Sequence, residues 1–370
     1  MENSFLRRNV HAAVADTTIT ETAAAVTITT TKGDVAIITK MKTAVVILNW
    51  NTKDYLERFL PGLIESCRGL DAEVVVADSA SEDGSLQFVH THFPFVRIIQ
   101  LEQNFGFTGG YNRALKEIDA DNFVLINSDV EVTPDWLRVL DGWMDTHPEC
   151  GICGPKILSF SNRSTFEYAG AAGGWLDRFG FPYCRGRIMH KVEKDNGQYD
   201  NPENVLWVSG ACLMIRAELW RRLGGFDDRF FAHMEEIDLC WRAQLAGYKV
   251  CNVPQSCIYH IGGGTLPNES PMKLKLNYRN NLLLLENNLV QSMGPTRAKI
   301  VFAIRKCLDH CAGFVYTLNG QKEYAQSVKD AHKEFEKLRH GFPEWQRKPE
   351  KIDGLNKGFI FVKSLANRNI

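Results

Sequence analysis

Short apolar runs alternate with amphipathic stretches between positions 43 and 126. The apolar runs lie at residues 44–48, 73–77, 96–100 and 123–126. Apolar residues at helical spacing separate them, at residues 55–67, 84–91 and 108–118. Short apolar strands joined by helices are typical of parallel βαβ units, in which both faces of the sheet are covered. This part of the chain therefore predicts an α/β sheet of the nucleotide-binding kind.

The pattern becomes more mixed after residue 134. It predicts helices over 136–146 and 235–246 and strands over 151–160, 205–215 and 249–253. Residues 161–204 are rich in Gly, aromatic and charged residues and indicate a long loop region, of the kind that often carries ligand contacts. From residue 273 onward the spacing is mainly helical. The fold class is therefore α/β, a mixed, mainly parallel sheet flanked by helices, with a C-terminal helical extension.

Residues 1–40 differ from the rest of the chain. They are rich in Thr and Ala and poor in aromatic residues, so we expect a poorly ordered leader with at most a short strand at 34–38. Met41 directly precedes the first strong strand and is a candidate start of the folded protein and of translation. The predicted division is a leader (1–40), a main α/β domain (41–289) and a helical extension (290–370).

Composition narrows the functional classes. The chain carries 43 Lys and Arg against 44 Asp and Glu, and this balance argues against a dedicated nucleic-acid-binding protein. Its ten cysteines include one C-x-x-C pair but no second pair at zinc-like spacing, which favours reduced thiols in a cytoplasmic protein. Residues 291–370, however, hold 15 basic and 8 acidic side chains. This tail predicts either ordinary solvated helices or a peripheral contact with anionic lipid on the inner face of the cytoplasmic membrane.

Polar residues cluster directly after three of the predicted strands. Asn49 and Asn51 follow the first, Asp78 and Ser79 the second, and Asn127, Ser128 and Asp129 the fourth. Open α/β sheets bind ligands at this edge, although any one acid there could merely cap a helix. Asp129 and Glu131 fall on one side of an extended chain and could share Mg²⁺ or Mn²⁺ with a diphosphate.

A Gly-rich turn enters a helix at residues 104–112. It contains Gly106, Phe107 and Asn112, and its backbone N–H groups could approach a nucleotide or a sugar closely. The turn differs from the dinucleotide-binding fingerprint, and the sequence contains no G-x-x-x-x-G-K-[ST] loop. Both observations argue against a dinucleotide dehydrogenase and a P-loop NTPase.

Two later segments also carry candidate chemistry. Glu235, Glu236 and Asp238 begin a predicted helix, where acids commonly stabilise the helix dipole. Acids this close together also repel one another, which raises a pKa and suits a general base. His260 ends an apolar stretch before three glycines, so it is a candidate ligand as well as an ordinary structural histidine.

These segments, in this order, resemble glycosyltransferase family 2, the inverting nucleotide-sugar transferases of the GT-A fold. The resemblance covers residues 43–289 and is closest to bacterial rhamnosyltransferase-like members that build cell-surface polysaccharides. The matching segments are residues 45–51, 76–85, 104–112, 127–129, 208–212, 235–238 and His260. The resemblance implies transfer of a sugar from a nucleotide-diphosphate donor to an acceptor hydroxyl, with inversion at the anomeric carbon.

The resemblance also implies roles for individual residues. The implied nucleotide-sugar site comprises Asn49, Asn51, Asp78, Ser79, Gly106, Phe107, Asn112, Asn127, Ser128 and Asp129, with Asp78 reading the nucleobase. The implied acceptor side comprises Trp207, Gly210 and Glu235. Asp129 and His260 would hold Mg²⁺ or Mn²⁺, although Asn127 stands where the family's metal motif has its first acid. Glu236 would be the catalytic base, with Asp238 as the runner-up.

The implied donor is a dTDP- or UDP-linked sugar, with dTDP-rhamnose as the first choice. The implied acceptor is a glycan or a polyprenyl-diphosphate-linked glycan. Two other classes stay open. A sugar-phosphate nucleotidyltransferase would carry a Gly-rich loop with Lys or Arg after the first strand, where this chain has Asn49, Trp50 and Asn51. A non-catalytic sugar- or lipid-binding module would explain Asn127 in place of an acid. A glycosidase would use two carboxylates but would not need the strand-end clusters.

Overall fold

The computed structural model describes residues 43–168, 170–188, 191–262, 270–349, 351–355 and 358–360, and the backbone of three strands before residue 40. Met41 and the glycines at 263 and 264 lie outside these ranges. The strands are Thr17–Thr22 (β1), Ala25–Thr30 (β2), Val35–Thr39 (β3), Thr43–Asn49 (β4), Ala72–Asp78 (β5), Arg97–Gln100 (β6), Asn122–Ile126 (β7), Val130–Val132 (β8), Cys150–Ser159 (β9), Gly174–Leu176 (β10), Pro182–Cys184 (β11), Arg187–Ile188 (β12), Lys191–Val192 (β13), Glu203–Asn204 (β14), Cys212–Arg216 (β15) and Lys249–His260 (β16). The α-helices are Lys53–Ser66 (α1), Ser85–His92 (α2), Gly106–Ala114 (α3), Trp136–Thr146 (α4), Ala217–Leu223 (α5), Glu235–Leu245 (α6), Pro271–Met293 (α7), Pro295–Leu318 (α8) and Lys322–Leu338 (α9).

A nine-stranded mixed sheet forms the centre of the described fold. Its order is β14–β16–β9–β15–β7–β4–β5–β6, and β8 pairs with the end of β16. β4 runs parallel to β5 and β7, and β5 runs parallel to β6, as the alternating pattern predicted. β15 enters antiparallel between β7 and β9, while β16 is parallel to β9. The mixed α/β sheet predicted from the sequence is therefore confirmed.

Helices cover both faces of this sheet. Successive strand residues point to opposite faces, so Val45 packs into one apolar cluster and Val46 into the other. On the first face, Leu60 of α1 and Leu137 of α4 belong to the cluster around Val45. On the second face, Tyr111 of α3 packs in the cluster that contains Val46. Because both faces are covered, the strands are continuous apolar runs without polar alternation.

Three long helices follow the sheet and confirm the predicted helical extension. α8 and α9 pack through apolar side chains such as Phe302 and Phe335, whose ring centroids are 5.7 Å apart. The domain boundary predicted after residue 289 falls inside α7, and the first break comes at Gly294, where φ is 84°. Among the described residues, no helix combines the length and the apolar character needed to cross a membrane.

Three segments differ from the sequence predictions. The segments 17–22, 25–30 and 35–39, expected as a leader with little order, pair as an antiparallel β1–β2–β3 sheet, since Thr and β-branched residues favour strands. The strand predicted over 205–215 narrows to β15, because the preceding segment makes single pairings, such as the bridge between Trp207 and Gly174. The strand predicted over 249–253 continues as β16 to His260, and the loop region 161–204 contains the short strands β10 to β14.

Candidate active site

A buried polar network joins the ends of β4 and β5. Asn49 Nδ2 donates to Asp78 Oδ1 at 2.6 Å and to Ser85 Oγ at 2.8 Å. The backbone N–H of Ser81 donates to the other carboxylate oxygen of Asp78, at 2.9 Å. The parallel register aligns Asn49 with Asp78, so two predicted nucleotide-site residues lie side by side. Both oxygens of Asp78 are thus engaged within the protein.

The rim of this network is more open. Asn51 is exposed, has a φ of 54°, and accepts the backbone N–H of Glu82 at 2.8 Å with its side-chain oxygen. Trp50 beside it is 42% exposed. Ser79 is buried, and its hydroxyl has no hydrogen-bond partner among the described residues. An exposed indole at a strand end offers a face on which a planar base can stack.

The Gly-rich turn forms the start of α3. Gly106 has a φ of 74°, and a Cβ there would collide with the ring of Phe231, which explains the glycine. The backbone N–H groups of Phe107 and Thr108 both donate to the Phe231 carbonyl, at 2.8 and 3.2 Å. These groups are therefore engaged by a neighbouring turn, whereas the sequence suggested that they could approach a nucleotide.

Asn112 connects α3 to the loop that leads into α6. Its Nδ2 donates to the carbonyl of Phe226 at 2.8 Å and to Asp228 Oδ1 at 2.7 Å. Its Oδ1 accepts the backbone N–H of Phe226 at 2.9 Å. The structure therefore places Asn112 with this loop, away from the hydrogen bonds of the β4–β5 network.

The turn before α6 is strained and held in place. Phe231, His233 and Met234 have φ values of 63°, 71° and 69°, a region that costs energy for residues with a Cβ. Asn280 of α7 donates from Nδ2 to the carbonyls of Ala232 and His233, at 2.8 and 2.7 Å. α7 thereby sets the direction in which α6 begins.

Two adjacent glutamates begin α6. Glu235 is buried, Glu236 is partly exposed, and the Oε2 atom of each is buried with no hydrogen-bond partner among the described residues. Burial raises the pKa of Glu236 to about 7. Burial, together with the charge of Glu236, raises the pKa of Glu235 well above its usual value. A carboxylate that titrates near neutrality is suited to accept a proton.

Asp238, the runner-up for the base, has very different surroundings. It is fully buried, and its Oδ2 accepts from Arg242 Nε at 2.6 Å. Its Oδ1 accepts from the side-chain amides of Asn287 and Asn288, at 3.0 and 2.8 Å. The structure therefore places Asp238 in an ion-pair network that connects α6 to α7.

Gly210 lies between Glu236 of α6 and Phe107 of α3. A Cβ at this position would lie 3.7 Å from Cβ of Glu236 and 3.8 Å from Cζ of Phe107. Three residues predicted for catalysis, acceptor and nucleotide sugar thus meet here. The backbone N–H of Asn127 donates to the Ala211 carbonyl at 3.0 Å, which connects the end of β7 to the same loop.

His260, at the end of β16, lies between two carboxylates. Its Nε2 is 3.1 Å from Asp129 Oδ1, and its Nδ1 is 3.6 Å from Glu167 Oε1. Asn127 Nδ2 is 3.5 Å from the same Nε2. Burial lowers the pKa of His260, but its contacts with Asp129 and Glu167 outweigh burial and raise the pKa to about 10. Burial raises the pKa of Asp129, whereas the bond to His260 and its charge outweigh burial and lower it.

This end of the site fits a divalent cation shared with a substrate. Asp129 and His260 present a carboxylate oxygen and an imidazole nitrogen side by side, ligands that suit Mn²⁺ and Mg²⁺. The surroundings that favour a charged His260 would also attract a metal ion. In the described ranges, no group of three or more His, Cys, Asp or Glu side chains is arranged for a metal. Two protein ligands leave the remaining positions for diphosphate oxygens and water, as is usual for Mg²⁺.

Trp207, predicted on the acceptor side, is 3% exposed. Its indole packs so closely on Gly174 that a Cβ there would collide with it, and Nε1 donates to the Trp175 carbonyl at 3.3 Å. Trp207 therefore supports the segment that leads to Gly210. Ser128 is half-buried at the end of β7.

Glu167 and the Arg279–Asn280 pair were not predicted from the sequence. Glu167 lies in the region interpreted as a loop, where no periodic pattern marks a buried acid. Arg279 donates from Nη2 to the Phe230 carbonyl at 2.7 Å, so it supports the same strained turn as Asn280. A signal for this pair was present, because residues 279–281 form a polar run directly before four leucines.

Residues 44–224 match the model of glycosyl transferase family 2. This part of the chain is a glycosyltransferase family 2 domain. The matched range contains the β4–β5 network, Asn127, Asp129 and Gly210. The candidate site residues Glu236 and His260 lie beyond the matched range.

A relative among characterised glycosyltransferases supports the family assignment. The N-acetylglucosaminyl-diphospho-decaprenol L-rhamnosyltransferase of Mycobacterium tuberculosis is 25% identical over 278 residues. The aligned region covers 71% of this chain and 89% of the relative. The likeness to a rhamnosyltransferase predicted from the sequence is therefore confirmed.

Two solved glycosyltransferase structures resemble this fold. S. aureus TarS 1–349 in complex with UDP-GlcNAc matches with a TM-score of 0.51 at 18% identity, over 80% of this chain and 82% of that one. GalNAc-T7 with UDP, GalNAc and Mn²⁺ matches with a TM-score of 0.51 at 19% identity, over 65% of this chain. This chain spans about half of GalNAc-T7, 48% of its length. At these identities the likeness shows the fold alone, and it confirms the predicted GT-A architecture.

Proposed function

We propose that this glycosyltransferase moves a sugar from a nucleotide-diphosphate donor to the hydroxyl of a glycan or polyprenyl-diphosphate-linked acceptor, with inversion, in cell-surface polysaccharide synthesis. Glu236 carries the proposal, because its pKa of about 7 and its Oε2 atom, which has no hydrogen-bond partner among the described residues, fit a general base beside Gly210. The M. tuberculosis relative is named for transferring L-rhamnose to a lipid-linked acceptor. That name makes dTDP-rhamnose the first donor to test.

The donor is proposed to span the two ends of the sheet edge. Its base, thymine or uracil, stacks at the rim formed by Trp50 and Asn51, and Asp78 keeps this rim in shape through Asn49. Asp129 and His260 would hold Mg²⁺ or Mn²⁺, which supplies charge neutralisation on the diphosphate when bound. The titles of the TarS and GalNAc-T7 structures name UDP-linked or UDP ligands, which supports a donor of this class.

The proposed chemistry needs one proton transfer and no covalent intermediate. Glu236 accepts the proton of the acceptor hydroxyl while that oxygen attacks the anomeric carbon. The bond from this carbon to the diphosphate breaks on the opposite face, so the configuration inverts. Glu235 and Glu236 titrate as a pair, and the more deeply buried Glu235 keeps its proton while Glu236 is ionised. Gly210, without a side chain, leaves room for the acceptor.

Turnover of the Glu236→Gln variant tests this proposal. The full chain is incubated with dTDP- and UDP-sugars, Mn²⁺ or Mg²⁺, and a polyprenyl-diphosphate-linked N-acetylglucosamine, and the product and its anomeric configuration are measured. We expect Glu236→Gln to lower kcat about a thousandfold, because a positioned base contributes that order of rate. Stabilisation of the protein by the donor should be unchanged.

A matched control is Glu65→Gln, since Glu65 makes a surface ion pair with Arg68 at 2.9 Å. Its turnover should stay near the wild-type value. Near-normal turnover of Glu236→Gln would refute Glu236 as the base. Pyrophosphate release from a nucleoside triphosphate would favour a nucleotidyltransferase, and donor binding without transfer would favour a non-catalytic module.

A further inference from the structure

α8 presents a broad apolar face to the solvent. Its exposed apolar and thiol side chains are Ile300, Ile304, Cys307, Cys311, Phe314, Val315 and Leu318. Phe314 and Leu318 are 63% and 69% exposed, values unusual for such large apolar groups. Positions spaced by three and four residues lie along one side of a helix, so these side chains form a continuous stripe. A stripe of this kind indicates an interaction surface.

The opposite face of α8 is firmly packed. Phe302 lies against Phe335, and Arg305 Nε donates to Asp309 Oδ1 at 2.7 Å. The Arg305 guanidinium also lies 3.9 Å from the centroid of the Phe181 ring, in the hairpin formed by β10 and β11. One face of α8 is therefore packed against the rest of the protein, and the exposed stripe lies on the opposite face.

The charged side chains of α8 that reach the solvent are all basic. Arg297 and Lys299 are exposed near the start of α8, and Lys306 farther along pairs with Glu336 of α9 at 2.7 Å. The 24 residues of α8, all of them described, include one acid, Asp309, which is buried in the packed face. A basic, apolar helix surface complements a membrane that carries anionic lipid.

We infer that α8 lies flat on an anionic membrane surface, with this stripe at the boundary between headgroups and acyl chains. Long basic side chains at its edge can extend to lipid phosphates while their stems stay apolar. A second copy of the chain fits less well, because paired helices carry opposite charges beside their apolar seam. Here the seam is flanked by Val301, Ala303 and Leu308, which offer no such charges. This inference does not depend on the proposed reaction.

Co-sedimentation of the full chain with vesicles tests the inference. One set of vesicles contains phosphatidylcholine alone and the other contains phosphatidylcholine mixed with phosphatidylglycerol. We expect binding to the anionic set only. The triple variant Ile304→Gln, Phe314→Gln and Leu318→Gln should bind these vesicles at least about tenfold more weakly than the wild type, since the apolar insertion is lost. Arg297→Glu with Lys299→Glu should bind about tenfold more weakly as well, through lost electrostatic attraction.

Phe95→Gln is the matched control, because Phe95 is 71% exposed and lies far along the chain, between α2 and β6. This variant should bind vesicles like the wild type. Unchanged binding of the triple variant, or no binding of the wild type to anionic vesicles, would overturn the inference. So would a wild-type dimer in sedimentation velocity that the triple variant loses. Thermal stabilisation by donor, measured on the same variants, reports on the proposed reaction separately.

Discussion

Two carboxylates on α6, separated by one residue, have opposite surroundings. Asp238 is fully buried, and both of its oxygens accept hydrogen bonds from α6 and α7. Glu236 is partly exposed, and its buried Oε2 has no partner among the described residues. Asp238 connects two helices, whereas the buried oxygen of Glu236 takes no part in such a network, which is why Glu236 is the proposed base. Acids at a helix start therefore cannot be ranked by position, because their hydrogen bonds decide what each can do.

The same contrast divides the edge of the sheet. Asp78 is saturated by Asn49 and the Ser81 backbone, which fixes the geometry of the β4 and β5 ends. Asp129 instead lies 3.1 Å from His260 Nε2, in the contact where the metal ion is proposed to bind. The Asp78 end of the sheet edge is therefore a rigid support, whereas the Asp129 end presents two ionisable side chains in direct contact.

Asp238→Asn should give the largest loss of stability. Removing one partner of a buried ion pair leaves the other charge uncompensated, which costs about 3 kcal/mol or more. Urea unfolding at pH 7 measures this loss, and Glu65→Gln, at a surface ion pair, should stay within about 0.5 kcal/mol of the wild type. If Asp238→Asn kept its stability and lost its turnover, Asp238 would be the base and the contrast with Glu236 would fail.

Asn49→Ala should have an intermediate effect. The variant leaves a buried oxygen of Asp78 without its donor, which costs about 2 kcal/mol. Asn51→Ala, at the exposed rim, should change stability by less than about 0.5 kcal/mol but weaken stabilisation by the donor. Urea unfolding and donor titration of the two variants distinguish a residue that supports the fold from one that contacts the donor. Equal stability losses in both would contradict a rigid network with an open rim.

Glu235→Gln should give the smallest effect, and one that depends on pH. A carboxyl whose pKa is raised on folding adds stability below its unfolded pKa, near 4.5, and loses it as the pH rises through the folded value. The melting temperature of the wild type should therefore fall above pH 4.5, and Glu235→Gln should reduce this fall, by about 2 °C at pH 8. Thermal scans without donor at pH 4.5 and 8 measure it. Parallel pH profiles for the two proteins would contradict a buried acid pair.

The sequence predicted the elements more closely than their contacts. The runs at 44–48 and 123–126 became β4 and β7, because strands covered on both faces are continuous apolar runs. The end of β16 was missed, since its register becomes irregular after Val253 and breaks the pattern. The strand predicted over 205–215 was too long, because apolar residues such as Val205 and Trp207 are buried there without a continuous ladder.

The sequence could suggest candidate site residues, but not their surroundings. Strand-end position singled out Asn127 and Asp129, the family resemblance added His260, and the structure places the three side chains close together. The burial of Glu167 could not be predicted, because this residue lies in a region whose sequence shows no periodic pattern. The engagement of the α3 N–H groups also could not be predicted, since it depends on the unusual φ values of the turn beginning at Phe231.

The hydrogen bonds from α7 to the turn before α6 have a consequence for protein engineering. Arg279 and Asn280 hold this turn by its carbonyls, and Asn287 and Asn288 hold Asp238 one turn further on. A chimera that takes α7 from a relative but keeps α6 and its preceding turn would exchange only one side of these contacts. Donor and acceptor preferences should therefore be transferred between relatives with α6 and α7 as a single cassette.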